Sequence, residues 1–311
     1  MPGTGNGLCQ RRGNSTKEAF QEMTPIFIFA KNFVEILLRG ISQVFLLNNV
    51  ITGVLFLAGV FYASWRMGMG AVIGALSGTV TALILKYHRD DINQGLYGYN
   101  STLVCLAIFY FFGFTATSLI AAITGSVLSA VITKAMRHRC KLPTFTAPFI
   151  ISTWLVMTVL LTFHIGTIQT SLLPDADKLE IVPALSLGVG QVMFQEVMIS
   201  GILLYIGILA SSRIAAFYAL LGALLGVIVA FASSFPLNMI NAGLFGFNGV
   251  LCGIAFSSNK WTHGVLAIAA ITVSVFITYG IMNLGIISLT SPFVISTWLV
   301  LLINSKIRGS T

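Results

Sequence analysis

Residues 95–100 read GLYGYN, and residues 243–248 read GLFGFN, 148 positions later. The similarity extends over residues 93–103 and 241–251, where six of eleven positions are identical and two of the differences exchange Tyr for Phe. A stretch that returns with its glycines, aromatic residues and asparagine in order indicates an internal repeat. The rest of the chain can be aligned outward from it.

Two further pairs support the repeat. Residues 43–53 (QVFLLNNVITG) lie 148 positions before residues 191–201 (QVMFQEVMISG). Residues 146–156 (TAPFIISTWLV) return at residues 290–300 (TSPFVISTWLV), with nine of eleven positions identical. Three ordered matches at nearly one offset indicate a duplicated unit. A period of about 150 residues is too long for a solenoid, and it is typical of a transporter or channel whose pathway lies between two repeats.

The composition places the duplicated unit in a membrane. Hydrophobic residues make up 56% of the chain, charged residues 8%, and the mean hydropathy is +0.93. Soluble domains carry about a quarter charged residues, so the chain is predicted to be a polytopic membrane protein in contact with the lipid bilayer. The net charge of +8 is attributed to the loops, and no nucleic-acid partner is predicted.

Ten apolar stretches are predicted to form membrane spans. Residues 41–49 and 189–197 are too short to cross about 30 Å of hydrocarbon, so they are predicted to be re-entrant half-helices. Residues 26–38 contain Lys31 and Glu35, which favours a helix at the membrane interface. The predicted spans are residues 50–64, 69–86, 97–112, 115–136, 146–165, 198–210, 213–235, 244–259, 262–280 and 290–307.

Five crossings per repeat is an odd number, which gives the two copies opposite orientations. The predicted fold is an all-α polytopic membrane protein of two inverted repeats, each with five transmembrane helices and one re-entrant half-helix, and a pore at the repeat interface. The predicted order is a disordered cytoplasmic tail, a first repeat, an extracytoplasmic linker and a second repeat, over residues 1–24, 25–165, 166–187 and 188–308.

The distribution of charge gives an orientation. With a cytoplasmic N-terminus, 15 of the 17 basic residues fall on the inner side, and Arg66 and Lys178 fall outside. The linker carboxylates of Asp175, Asp177 and Glu180 also fall outside. Because cytoplasmic loops are enriched in Lys and Arg, both termini are predicted to be cytoplasmic.

Ionisable groups are nearly absent from the predicted membrane segments. Of nine carboxylates, Glu196 alone lies in one, whereas ion-coupled transporters usually place paired ionisable residues in the bundle. The sequence also lacks the G-x-x-x-x-G-K-[ST] nucleotide-binding loop. These observations predict passive movement of a neutral solute.

Neither the cysteines nor the histidines follow a metal-binding or catalytic pattern. Serine and threonine are plentiful, but no motif sets a base beside one. The chain is predicted to have no enzymatic activity, no metal and no cofactor. The residues considered are Cys9, Cys105, Cys140, Cys252, His88, His138, His164 and His263.

These motifs together resemble the urea transporter family, the channel-like urea carriers of bacteria and animals, over residues 35 to 305. The resemblance rests on the two GL-x-G-x-N copies, the two Gln-Val segments and the paired Thr-x-Pro-Phe sequences. It implies a passive, urea-selective channel with one pore between the inverted repeats of each protomer. It also implies a homotrimer, here expected in a bacterial inner membrane.

The resemblance assigns pore positions to ten residues. They comprise two glutamines at the re-entrant segments, three aromatic residues flanking the flat solute, two leucines one turn further on, two threonines at the pore centre, and a leucine where the family usually has phenylalanine. In that order they are Gln43, Gln191, Phe194, Tyr99, Phe247, Leu103, Leu251, Thr146, Thr290 and Leu46.

The chemistry of urea agrees with these residue types. Urea is flat and neutral, with four N–H donors and one carbonyl acceptor, so a selective slot needs apolar faces and polar edges. Tyr99 and Leu103 are four residues apart and therefore neighbours on one helical face. Core packing is the alternative role for these aromatic and leucine residues. For Thr146 and Thr290 the alternative is a helix start before a proline.

Two departures from the family pattern bear on selectivity. One is Leu46, and the other is the absence of the family's Asn-Pro, where this chain has Asn49-Val50 and Glu196-Val197. A channel for another small neutral solute, such as ammonia, a short amide or water, is the alternative within transport. A membrane sensor or scaffold without transport is the alternative outside it.

Overall fold

The computed structural model describes residues 28–169 and 173–309, and within these ranges it is helical, without strands. The predicted N-terminal tail, residues 1–24, lies outside the described residues. The first repeat contains α1 (Ile28–Phe45), α2 (Val50–Ala63), α3 (Trp65–Ile84), α4 (Arg89–Asn93), α5 (Gly98–Phe112), α6 (Ala116–Arg139) and α7 (Ala147–Thr162). The second contains α8 (Ile181–Gly190), α9 (Met198–Ser211), α10 (Arg213–Ala232), α11 (Leu237–Asn241), α12 (Phe247–Ala255), α13 (Trp261–Asn283) and α14 (Ser291–Gly309).

Helix lengths confirm a polytopic helical membrane protein with re-entrant elements. Among the described helices, α3, α6, α10 and α13 are each long and apolar enough to cross a membrane. Two helix pairs pass the same test together but are bent, by 76° between α1 and α2 and by 74° where α8 meets α9. The apolar helices α5, α7 and α14 are shorter. Helix α12 is shorter than the predicted span 244–259, because a turn around Gly243 precedes it and a polar segment follows it.

The structure corrects the predictions for the two segments before the first bend. The interfacial helix and the half-helix predicted as separate segments form the single helix α1, which continues through Gly40 to Phe45. Gly40 does not end the helix because it packs against the motif, where a Cβ on Gly40 would lie 3.3 Å from the carbonyl oxygen of Gly95. In the second repeat, α8 begins at Ile181, inside the range predicted for the linker, so this segment too is longer than expected.

Each bent pair turns at a residue in the left-handed region. Leu46 and Phe194 both have φ 59°, a conformation that is rare for bulky residues and marks strained or functional positions. Asn49 caps the start of helix α2, and its side chain accepts from the backbone N–H of Thr52 at 3.1 Å. In the second repeat, Val197 occupies the same capping position before α9. Glu196 therefore corresponds to Asn48. The sequence comparison had paired Glu196 with Asn49, one position further along the chain.

Reciprocal hydrogen bonds show that the repeats are inverted. The hydroxyl of Thr52, at the start of α2, donates to the carbonyl of Gly207, near the end of α9, at 2.9 Å. The hydroxyl of Ser200, at the start of α9, donates to the carbonyl of Gly59, near the end of α2, at 2.8 Å. Both equivalent pairs are 148 residues apart. Equivalent helices therefore pack antiparallel about a pseudo-two-fold axis perpendicular to them, as in inverted-topology repeats.

The repeated GL-x-G-x-N motif depends on backbone contact that only glycine permits. Gly95 and Gly243 have φ +77° and +78°, and a Cβ on either would lie 2.3–2.4 Å from the backbone nitrogen of Gly40 or Gly188. These contacts join the motif to α1 in the first repeat and to α8 in the second. Small residues at helix contacts let backbones approach closely in membrane proteins, so the motif sets the packing of each half.

The two ends of the molecule differ in charge. Arg137, near the end of α6, bonds the carboxylate of Asp91 in α4 at 3.0 Å; this is called the basic end. The equivalent short helix, α11, lies at the opposite end, where Asn241 accepts from the N–H of Glu180 and donates to the carbonyl of Lys178, both at 2.9 Å. This is called the linker end. The end of α6 carries Arg137, His138 and Arg139 at the basic end, whereas the linker carries Asp175, Asp177 and Glu180 at the opposite end.

Candidate permeation pathway

Two threonine hydroxyls meet at the centre of the molecule. The Oγ1 atoms of Thr146 and Thr290 are 2.7 Å apart, and the two residues are 0% and 2% exposed. Each immediately precedes a helix, α7 or α14. The hydroxyl of Thr146 makes no capping bond to its own helix, so a helix-start role does not occupy it.

The first turns of α7 and α14 are capped by the asparagines of the repeated motif. The Oδ1 atom of Asn100 accepts from the backbone N–H of Phe149 at 3.3 Å, and that of Asn248 accepts from Phe293 at 3.2 Å. The amide groups donate in turn to threonines of α6 and α13, at 3.4 and 3.3 Å. Both asparagines are fully buried. Sequence reasoning assigned them no role, although their recurrence after an aromatic residue in both copies was a usable signal.

The arrangement gives the centre a defined polarity. The N-termini of α7 and α14 meet there, and a helix N-terminus carries about half a positive charge from its aligned peptide dipoles. Such half-helix ends oppose the passage of cations. The hydroxyl pair has one internal hydrogen bond, which leaves one O–H donor and three lone pairs for a solute. The centre therefore suits a small neutral molecule that both donates and accepts hydrogen bonds.

A cavity of about 480 Å³ leads from the linker end to this centre. Four of the predicted pore residues line it: Gln191, Phe194, Phe247 and Thr290. Half of the other lining residues come from the α5 C-terminus and from the segment before α14. The cavity therefore places an amide, two aromatic rings and a central hydroxyl along one route.

The glutamine of the cavity is available to a solute. Gln191 is 8% exposed, and its side chain has no hydrogen-bond partner within residues 28–169 and 173–309. The equivalent Gln43 donates from Nε2 to the carbonyl of Gln94 at 2.8 Å. A buried amide with open hydrogen-bonding capacity is costly unless a ligand or water satisfies it. Gln191 is therefore a candidate contact for whatever enters the cavity.

Aromatic rings surround Phe194. Its centroid lies 5.4 Å from that of Tyr110, 6.0 Å from that of Phe111 and 6.3 Å from that of Phe149. In the first repeat, the equivalent Leu46 supplies no ring. Because Tyr110, Phe111 and Phe194 all line the cavity, its wall near the linker end is rich in aromatic faces, which suits a flat solute.

The other predicted residues lie deeper in the bundle. Tyr99 is buried, and its hydroxyl donates to the carbonyl of Phe145 at 2.6 Å, so this group is already used. Leu103 and Leu251 are fully buried and line neither of the cavities described here. The structure thus brings Thr146 to Thr290 but leaves Tyr99 and the leucines in contact with protein.

A second cavity, of about 640 Å³, adjoins the first at the linker end. Leu173, Gln191 and Glu196 line both. The second cavity also carries the linker's charged residues, Asp175, Asp177, Lys178 and Glu180. The route from the linker end therefore begins in an acidic vestibule. Within the described ranges, no group of three or more His, Cys, Asp and Glu side chains is placed to hold a metal ion.

Comparison with known proteins agrees with this architecture. The family model described as Urea transporter matches residues 34–305. The chain belongs to the urea transporter family. Urea transporter 1 of Ovis aries is 33% identical over 308 residues, which cover 89% of this chain and 78% of the relative. Urea transporter 1 of Rattus norvegicus is 31% identical over 305 residues, with coverages of 88% and 78%.

In this urea transporter family member, two tryptophans brace the central helix starts. The indole N–H of Trp154 in α7 donates to the carbonyl of Ile287, before α14, at 2.9 Å. That of Trp298 in α14 donates to the carbonyl of Pro143, before α7, at 2.8 Å. The reciprocal bonds hold the segments that carry Thr146 and Thr290 against each other. Sequence reasoning included both tryptophans in a repeated stretch without assigning them this role.

Proposed function

We propose that this protein conducts urea passively across the membrane, along the route from the linker-end cavity past Thr146 and Thr290. The observation that carries the proposal is the pair of hydroxyls, 2.7 Å apart between two opposed helix starts, at the end of a cavity lined by Gln191, Phe194 and Phe247. Relatives named urea transporter 1 support urea as the solute.

The chemistry of the route matches that of urea. The aromatic faces of Phe194 and Phe247 accommodate a flat molecule, and the Gln191 amide can accept one N–H and donate to the carbonyl. At the centre, the hydroxyl pair can accept N–H groups and donate one O–H. Each hydrogen bond replaces one lost from water, which offsets a cost of about 1–3 kcal/mol for each unpaired polar group.

The passive mechanism is inferred from the placement of charge. The centre combines two neutral hydroxyls with two helix N-termini, and among the residues that the structure describes no carboxylate lies beside them to bind a coupling ion. Glu196 lies at the mouth of the cavity and is exposed, away from the buried threonines. Driving force then comes from the urea gradient alone.

Solute flux in proteoliposomes tests this function. Urea permeability is measured by stopped-flow light scattering and compared with that of water, ammonia and short amides in the same vesicles. Vesicles without protein provide the background. We expect the protein to increase urea permeability well above its effect on the other solutes. A larger increase for water or ammonia would favour the alternative channel, and no increase for any solute would favour a sensor or scaffold.

Assembly and location extend the proposal. The family resemblance implies three protomers with one pore each, in a cell membrane with both termini in the cytoplasm. The apolar outer faces of helices such as α6 and α13 can contact lipid or neighbouring protomers. Light scattering of the purified protein, with the detergent contribution subtracted, tests the trimer; a mass of one or two protomers would contradict it.

A further inference from the structure

We propose that the mouth of the linker-end cavity is a binding site for planar guanidinium-type cations. Such a cation binds at Glu196, does not pass the centre and slows urea permeation from that side. This inference rests on the proposed function, because it requires that urea use the same cavity.

The carboxylate of Glu196 is held at the mouth by Tyr110. Its Oε1 atom accepts a hydrogen bond from the hydroxyl of Tyr110, near the end of α5. A carboxylate has about four lone-pair sites on two oxygens, so this bond orients the group and leaves acceptor capacity. Glu196 is exposed and lines both cavities. A solute arriving from either part of the vestibule meets it.

The surroundings fit a planar cation rather than a spherical one. A guanidinium presents N–H donors in a fork that matches a carboxylate. The ring of Phe194 lies 5.4 Å from that of Tyr110, and aromatic faces attract cations within about 6 Å. Deeper in the cavity, the amide oxygen of Gln191 is open to a further N–H. Carboxylate, rings and amide thus offer complementary contacts in one cavity.

Charge around the mouth favours arrival of the cation. The second cavity is lined by four carboxylates, including Glu196, and by one lysine, so its formal charge is −3. Clefts of one charge sign raise the local concentration of the opposite ion. The basic end, with Arg137 bonded to Asp91, lacks this character.

The centre stops the cation that the mouth attracts. The N-termini of α7 and α14 oppose positive charge there. Thr146 and Thr290 are almost fully buried and supply only neutral hydroxyls, so the cation would lose its water without a compensating anion. A neutral urea is free of this barrier. The site is one-sided, since the residue equivalent to Glu196 in the first repeat is Asn48, 148 positions earlier.

Inhibition of urea flux by guanidinium chloride tests the site. Urea flux is recorded in proteoliposomes with increasing millimolar guanidinium chloride, with sodium chloride at equal ionic strength as the control. Each variant is compared with its own flux without guanidinium. We expect guanidinium, and not sodium, to slow urea flux, and Glu196→Gln to raise the half-inhibitory concentration by roughly two- to fivefold, the loss typical of an exposed ion pair. In vesicles with both protein orientations, external guanidinium should slow only part of the flux, and adding it to the lumen should slow the remainder.

Asp177→Asn is the matched control, because it removes the same charge from the second cavity without altering the first. The proposal requires that Asp177→Asn retain most of the inhibition. Equal losses in both variants would assign the effect to the general charge of the vestibule and overturn a site at Glu196. Absence of inhibition in the parent protein would overturn it as well.

Calorimetric titration of the purified protein with guanidinium chloride separates this inference from the proposed function. Binding that depends on Glu196, in a protein that conducts no urea, would leave the site standing and contradict the urea pathway. Urea conduction without Glu196-dependent binding would leave the pathway standing and contradict the site.

Discussion

The hydroxyl oxygens of Thr146 and Thr290 lie 2.7 Å apart, although 144 residues separate them in the chain. A pseudo-two-fold axis perpendicular to the equivalent helices brings the two residues together, because each occupies the same position in an inverted copy. The same symmetry sets two helix N-termini beside them. Duplication of one unit therefore creates a polar centre that neither repeat contains alone.

Removing these hydroxyls is expected to slow the permeation of urea. Thr→Val keeps the shape of the side chain and replaces the oxygen with a methyl group. Each single variant, Thr146→Val or Thr290→Val, is expected to reduce urea permeability by about five- to tenfold, the equivalent of one hydrogen bond of about 1 kcal/mol. The double variant should be slower than either. Stopped-flow urea flux measures the effect, and melting in detergent checks that the variants fold. A folded double variant with the parent rate would remove these threonines from the pathway.

Loss of a motif asparagine is expected to destabilise the central helix start. Asn100→Ala removes the acceptor of the Phe149 N–H, and cap removal typically costs about 0.5–2 kcal/mol. We expect a lower melting temperature in detergent together with slower urea flux. The matched control is Asn48→Ala, at an exposed asparagine. Equal melting temperatures for the two variants would contradict a capping role for Asn100.

The sequence repeat was sufficient to predict the main architecture. Equivalent stretches have equivalent helices, and the odd number of crossings predicted the inversion that Thr52 and Ser200 now show. Continuity through Gly40 was not predictable from the local pattern, because the helix survives there through contact with Gly95, 55 positions away. Similarly, the role of Asn100 depends on α7, 49 residues later. The apolar pattern of the sequence specifies which segments are helical. The continuity of α1 at Gly40 and the capping by Asn100 depend on tertiary contacts, which that pattern does not contain.

Opposite accessibility of the basic and linker ends is expected. Arg137 lies at the basic end, and Asp177 lines the linker-end vestibule. Single cysteines at Arg137 and Asp177, in a background lacking the four native cysteines, should react with an impermeant thiol reagent from opposite sides of sealed, uniformly oriented vesicles. Arg137 is expected on the cytoplasmic side, because cytoplasmic loops are enriched in Lys and Arg. Reaction of both positions from the same side would refute the predicted topology.

Urea flux should be independent of ion gradients. The central threonines offer no ionisable group, and the helix N-termini around them oppose cations. Imposed proton or sodium gradients are therefore expected to leave the direction and rate of urea movement unchanged in proteoliposomes. Initial uptake of labelled urea measures this, with ionophore-treated vesicles as controls. Accumulation of urea above its external concentration, driven by either ion, would contradict passive conduction.

The difference between Leu46 and Phe194 is expected to set how strictly the pathway requires a flat solute. Both residues have φ 59° at the turn of a bent helix pair, but only Phe194 contributes a ring, which packs near Tyr110 and Phe111. Phe194→Leu makes the second repeat resemble the first, and Leu46→Phe does the reverse. We expect Phe194→Leu to lower the ratio of urea to glycerol permeability by a few-fold, because glycerol is neutral but not flat and an aromatic contact contributes about 0.5–1.5 kcal/mol. Leu46→Phe should raise the ratio. An unchanged ratio in both folded variants would show that selection for flat solutes depends on other residues.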